Sequence, residues 1–125
     1  MDSELSSIIE ETGLVVDDIN DGTGELVLED LPTNIKGLRM SAVIVIMGDG
    51  RYRIQLTVRV PFTLSDSEDD AIRYCVDDAG IVDGSWSLHS EMMDDVSGWE
   101  VTAIKFCKDA KDSCTELDKV VGAVV

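Results

Sequence analysis

The clearest hydrophobic pattern in the chain is a pair of β-rich runs between Leu38 and Phe62. In the second run, apolar residues occupy the even positions from 52 to 62, and polar residues occupy the odd positions from 51 to 59. Because successive side chains of a strand point to opposite faces, this alternation predicts a strand with one face in the core. Gly48-Asp49-Gly50 separates the two runs and predicts the tight turn of a hairpin.

Three other segments place their apolar residues at helical spacing. Residues 2–12 predict a short helix at the start of the chain. Ser65-Asp66-Ser67-Glu68 is a capping box, and it predicts a helix that begins there and ends at Gly80. A second capping box, Ser113-Cys114-Thr115-Glu116, predicts the start of the last helix. Gly122 weakens that helix by about 1 kcal/mol relative to alanine, so we expect its end to fray.

The remaining apolar runs predict strands at Glu25–Glu29, Ser85–Met92 and Trp99–Cys107, whereas residues 17–24 are rich in turn-forming residues. The element order is therefore helix, three strands, helix, two strands, helix. Strands joined by short turns pair antiparallel, and helices then cover one face of the sheet. With 125 residues, the pattern predicts a single α+β domain over residues 1–125. We expect a two-layer sandwich with a mainly antiparallel sheet of about five strands and helices on one face.

Charge changes this picture more than any other feature of the composition. The chain has 26 acidic and 10 basic side chains, and its formal net charge is −16. Such a surface repels phosphate backbones and anionic lipids, which argues against a nucleic-acid or membrane partner. Acidic doublets such as Asp69-Asp70 and Asp77-Asp78 are spread along the chain, so we interpret them as a solvated surface. Adaptation to a high-salt cytoplasm and masking of a basic partner are two further hypotheses.

The sequence also predicts the compartment. Its longest apolar run, Ala42–Met47, is far shorter than the ~20 residues of a membrane helix. The segment Met1-Asp2-Ser3-Glu4 lacks the basic and apolar regions of an export signal, so we expect a cytoplasmic protein. Cys75, Cys107 and Cys114 form no C-x-x-C pair, which favours buried thiols in a reducing cytosol. A disulfide between Cys107 and Cys114 is the alternative.

Residue types that carry catalysis are scarce in this chain. His89 is the single histidine, and its place in the alternation predicts a half-exposed position on the strand face opposite Trp86 and Leu88. Gly48-Asp49-Gly50 lacks the pattern of a phosphate-binding loop. The segment 17–22 departs by one residue from the spacing of a calcium loop. The sequence therefore predicts no catalytic, cofactor-binding or metal-binding residues, and a protein that is not an enzyme.

The central hairpin has a second face whose composition depends on the register of its two strands. A two-residue turn at Asp49-Gly50 puts Met40, Ala42, Ile44 and Ile46 on that face. A three-residue loop at Gly48-Asp49-Gly50 puts Arg39, Ser41, Val43, Val45 and Met47 there instead.

Either register places an apolar strand beside arginines, which is the composition that protein interfaces favour. The candidate partner-binding residues are Met40, Ile44, Ile46, Arg51, Arg53 and Arg59. The alternative is that a helix or the N-terminal segment of the same domain covers this face.

The chain resembles the type III secretion chaperone-like fold in its element order, in its acidity and in the Asp66–Gly80 helix, which is followed by Trp86-Ser87-Leu88. Within that fold the chain is similar to the YbjN family of proposed regulators or chaperone-like proteins, over residues 2–125. The resemblance implies a non-enzymatic and often dimeric protein that binds extended protein segments along its sheet or helices. The long Asp17–Gly24 loop, the strong Asp bias and the short last helix depart from the family, and no functional residue is carried over from it.

These observations favour a non-enzymatic domain that docks a protein or peptide, with a second copy of the chain among the candidate partners. An acidic inhibitor or immunity-type protein that masks a basic enzyme is the first alternative, and a steep salt dependence of binding would favour it. An enzyme with a metal held by carboxylates is the second alternative. We expect no cofactor.

Overall fold

The computed structural model describes residues 14, 16–20 and 24–125, and only the backbone of Asn20. The helix predicted at residues 2–12 lies outside the described residues. The rest of the chain forms an α+β domain with one antiparallel sheet and helices on one side of it, as the sequence predicts.

The described residues form a single sheet of six strands. Its strands are β1 (Asp18–Asn20), β2 (Glu25–Leu28), β3 (Arg39–Ile46), β4 (Tyr52–Pro61), β5 (Ser87–Met92) and β6 (Gly98–Cys107). All neighbours pair antiparallel in the order β1-β2-β3-β4-β6-β5. The prediction of about five strands omitted β1, because Asp18 and Asn20 are turn-forming residues. Pairing of β1 with β2 overrides that local preference.

Two helices in the described part of the chain pack on the same face of the sheet. The first, α1 (Glu68–Arg73), continues as a π-helical turn over Tyr74–Asp78 and contacts β5 and β6. The second, α2 (Ala110–Val124), contacts β4 and β6. Its stripe of Leu117, Val120 and Val124 is buried. Helix α2 runs through Gly122 to Val124, although the glycine was expected to fray it.

Helix α1 begins inside the predicted capping box, but its N-cap is Ser67 and not Ser65. Helix α2 begins four residues before the predicted cap at Ser113, so that prediction is wrong. The N-cap of α1 is Ser67, whose hydroxyl accepts a hydrogen bond from the amide of Asp70 at 3.2 Å. The N-cap of α2 is Asp109, whose carboxylate accepts one from the amide of Asp112 at 2.8 Å. Ser113 lies inside α2 and is buried, and its hydroxyl donates a hydrogen bond to the carbonyl of Asp109.

The core fills the space between the sheet and the helices. Its largest fully buried side chains come from the core-facing positions of β2, β3, β4 and β6 and from α2, among them Leu28, Ile44, Ile54, Leu56, Val101 and Leu117. The three cysteines are buried thiols and form no disulfide in the described structure. The acidic doublets Asp69-Asp70, Asp77-Asp78 and Asp94-Asp95 are exposed, as expected of a solvated surface.

Candidate docking face of the sheet

The turn between β3 and β4 fixes which side chains share a face. It is a three-residue loop, Gly48–Gly50, in which Gly50 has the left-handed φ of +87°. The amide of Met47 donates to the carbonyl of Arg51 at 2.8 Å, and Asp49 Oδ2 accepts from Arg51 Nε at 2.7 Å. The amide and guanidinium of Arg51 together hold the pKa of Asp49 below its ordinary value of 3.8. This loop selects the second of the two registers considered from the sequence.

The predicted partner-binding residues are therefore divided between the two faces of the hairpin. Met40 and Ile44 are 3% and 0% exposed and belong to the core, and Ile46 packs against the core from the same side. Arg51, Arg53 and Arg59 lie on the opposite face, opposite Met47, Val45 and Arg39 across the ladder. The apolar neighbours of the arginines are thus the valines of β3 rather than Met40 and Ile44.

We call the side of the sheet that points away from α1 and α2 the open face. Neither of the two described helices packs on it. From β2 across to β5 its apolar side chains are Val27, Val43, Val45, Ile104 and Phe106. Its polar side chains are Glu25, Arg39, Ser41, Arg53, Gln55, Thr57, Arg59, Glu100, Thr102, Ser87, His89 and Glu91. A depression of about 450 Å³ lies on this face, with Val27, Val43, Arg39, Arg59 and Glu100 in its lining.

One end of the open face is apolar and surrounds an arginine. Arg53 lies directly between Val45 of β3 and Phe106 of β6. Phe106 is 50% exposed, and the guanidinium of Arg51 stands 5.3 Å from its ring centroid. The Nε atom of Arg53 is buried and has no hydrogen-bond acceptor among the described residues. A buried donor without an acceptor is costly. Because side chains of the same chain already cover this atom, a partner can supply an acceptor only when Arg53 changes its rotamer.

The other end of the open face carries a row of four charges. Arg39, Arg59, Glu100 and Glu91 lie directly opposite one another across β3, β4, β6 and β5. Within this row, the structure gives one ion pair, Arg59 with Glu100 at 3.6 Å. Like charges directly opposite each other destabilise a sheet, and the row contains two such pairs. The sequence pattern does not predict this row, because Glu100 and Glu91 join it only through the strand order β4-β6-β5.

Other reactive residues in the described structure do not assemble into a second site. His89 lies on the open face, opposite Thr102, as its alternation predicted, and it is exposed rather than half-exposed. No group of three or more His, Cys, Asp or Glu residues in the described part of the chain has the arrangement of a metal site. Burial raises the pKa of the Cys75 thiol to about 12. No helix among the described residues is long and apolar enough to cross a membrane.

The structure is that of an α+β domain in which the two described helices cover one side of the sheet. Its fold is similar to that of the crystal structure of YbjN, a proposed transcription regulator from E. coli. The TM-score is 0.50 at 8% sequence identity, over 97% of this chain and 86% of that one. No family model matches the chain, and a search of curated proteins finds no match. The likeness to YbjN expected from the element order is confirmed at the level of the fold.

Proposed function

We propose that the protein is a non-enzymatic binding domain that docks a protein or peptide on the open face of its sheet. The observation that carries this proposal is a band of exposed or half-buried apolar side chains around Arg53, whose buried Nε has no acceptor among the described residues. Val43, Val45, Ile104 and Phe106 form that band. Burial of these side chains against a partner removes apolar surface from water, and a carboxylate on the partner pairs with the guanidinium of Arg53.

The apolar end of the open face supports an interface, whereas Ser41, Thr57 and Thr102 at its centre are polar, as on a solvated surface. The exposed side of a sheet covered by helices on its other side is ordinarily polar. Arginines and aromatic residues are enriched at protein interfaces. Four of the five arginines of the chain, Arg39, Arg51, Arg53 and Arg59, lie on this one hairpin. The open face therefore carries more positive charge than the average surface of a chain whose net charge is −16.

A library of phage-displayed twelve-residue peptides tests this function without knowledge of the natural partner. We expect selection on the wild-type protein to enrich peptides with apolar residues at alternate positions and a carboxylate to pair with Arg53. Their affinity should fall at least tenfold for Phe106→Asp and remain unchanged for Val125→Asp. Both substitutions replace an exposed apolar residue with aspartate, but Val125 lies at the end of the chain, beyond α2.

Two results would contradict the proposed function. One is the absence of any enriched sequence on a folded wild-type protein. The other is binding that is equally strong for the Phe106→Asp variant, which would place the peptide site elsewhere. Binding to arginine-rich peptides that disappears with added salt would instead favour the acidic-inhibitor hypothesis.

A further inference from the structure

We propose that the occupant of the open face is the open face of a second copy of this chain. This inference rests on the proposed function and names its partner. The two copies are related by a two-fold axis that runs parallel to the strands, between β4 and β6. Arg59 then faces Glu100 of the partner subunit, and Arg39 faces Glu91 of the partner subunit.

The row of charges selects this axis among the alternatives. A two-fold axis parallel to the strands reverses the order of the strands and keeps each residue at its height along them. Across the row the charges are positive on Arg39 and Arg59 and negative on Glu100 and Glu91. An axis between β4 and β6 sets every arginine against a glutamate. An axis along β4, or between β3 and β4, sets arginine against arginine, which repels.

The same axis brings the apolar ends of the two faces together. Arg53 of β4 then lies over the partner's Phe106, because Arg53 and Phe106 are direct neighbours in the ladder. A guanidinium over an aromatic face is an attractive contact, more so when water is excluded from it. Phe106, which is 50% exposed in the single chain, becomes covered. On this axis Ile104 lies over the partner's Gln55 and Val43 over the partner's Ser87, so the complementarity outside the charged row rests on the contact of Arg53 with the partner's Phe106.

The size of the face sets the expected strength of the dimer. Four strands at a spacing of about 4.8 Å and ten residues at about 3.4 Å each give roughly 600 Å² per copy. The total is near the lower limit of about 1,200 Å² for specific interfaces. Two copies of net charge −16 also repel each other at long range, and salt screens that repulsion. We expect a micromolar dissociation constant that decreases when NaCl is raised from 10 to 150 mM.

Complementary charge variants test the proposed axis by sedimentation velocity. Arg39→Glu/Arg59→Glu makes the row entirely negative, and Glu91→Lys/Glu100→Lys makes it entirely positive. We expect each variant alone to be monomeric, with its dissociation constant raised at least tenfold, and an equimolar mixture to form the heterodimer. The formal net charge changes from −16 to −20 in the first variant and to −12 in the second. Both variants remain negative, so they repel each other overall, and net charge cannot explain a heterodimer.

The matched control is Arg73→Glu/Lys111→Glu, which also lowers the charge to −20 but changes exposed residues on α1 and α2. It should dimerise like the wild type. If a double variant does not fold, as judged by circular dichroism, the single variants Arg39→Glu and Glu91→Lys replace it, because both positions are exposed. These single variants are expected to show the same pattern with a smaller change.

Three results would overturn the dimer: a wild type that stays monomeric at several hundred micromolar, a dimer unaffected by the row variants, or a mixture without heterodimers. A monomeric wild type that still loses its selected peptides on Phe106→Asp would refute the dimer and leave the proposed function in place. A wild-type protein that neither dimerises nor enriches any peptide would refute the two proposals together.

Discussion

Lys105 and Glu116 form an ion pair that joins β6 to α2, with 3.1 Å between Lys105 Nζ and a carboxylate oxygen of Glu116. Their side chains are 19% and 10% exposed. The ammonium group also lies 5.9 Å from the ring centroid of Trp86. Burial by itself lowers the pKa of Lys105, but the hydrogen bond and the charge of Glu116 outweigh it and raise the pKa above 10.5. The ion pair thus keeps a charged lysine on the side of the sheet that packs against α2.

Glu116→Gln is expected to destabilise the protein, because it leaves Lys105 largely buried without its anion. A buried polar group that loses its partner costs about 1–3 kcal/mol, and urea denaturation measures the change in the free energy of unfolding. Lys119→Gln is the control, since Lys119 contacts the same carboxylate at 3.4 Å but is 67% exposed. We expect that control to cost about 0.5 kcal/mol or less. Equal costs for the two variants would show that burial of the pair is unimportant.

The raised pKa of Lys105 also predicts a dependence of stability on alkaline pH. A group whose pKa is higher in the folded state contributes stability that is present below its unfolded pKa and is lost as pH rises through its folded value. Wild type should therefore lose more stability than Lys105→Met between pH 8 and pH 11. Urea denaturation at both pH values measures that difference. A gap between the two proteins that stays constant over this range would contradict the assignment.

The local features of the fold could be predicted from the sequence, but pairing between distant strands could not. The alternation around Arg53 identified β4 and its core face, whereas the register of the hairpin depended on the conformation of Gly50. The helix starts were misplaced because Ser and Asp occur at several adjacent positions that could each act as a cap. The contribution of β6 to the open face was missed because β6 lies between β4 and β5, an order that no local pattern encodes.

Two glycines of the chain are predicted to respond to alanine in opposite directions. A Cβ on Gly98 would overlap the carbonyl oxygen of Val60 and lie 2.8 Å from the Cα of Pro61, so the backbones of β4 and β6 would have to separate. We expect Gly98→Ala to cost about 1–3 kcal/mol, as overpacking does. Gly122 lies exposed in α2 with no atom within 4 Å of an added Cβ. Gly122→Ala should stabilise the protein by about 1 kcal/mol.

Thermal and urea denaturation of the two alanine variants check these signs in parallel. A neutral Gly98→Ala would show that β4 and β6 are not packed as closely as the structure gives. A destabilising Gly122→Ala would show that α2 does not continue through this position.

The three thiols are predicted to be inaccessible to reagents in the folded protein. Cys75, Cys107 and Cys114 are 0%, 1% and 4% exposed. Burial raises the pKa of Cys75 to about 12 and also raises that of Cys107, and the thiolate is the reactive form. Reaction with Ellman's reagent at pH 8 should therefore require opening of the structure, and its rate should increase with urea as the unfolded population does. Full reaction of three thiols in guanidinium chloride verifies that no disulfide is present. A thiol that reacts rapidly and independently of urea would contradict the burial of that cysteine, and single Cys→Ala variants would identify which one it is.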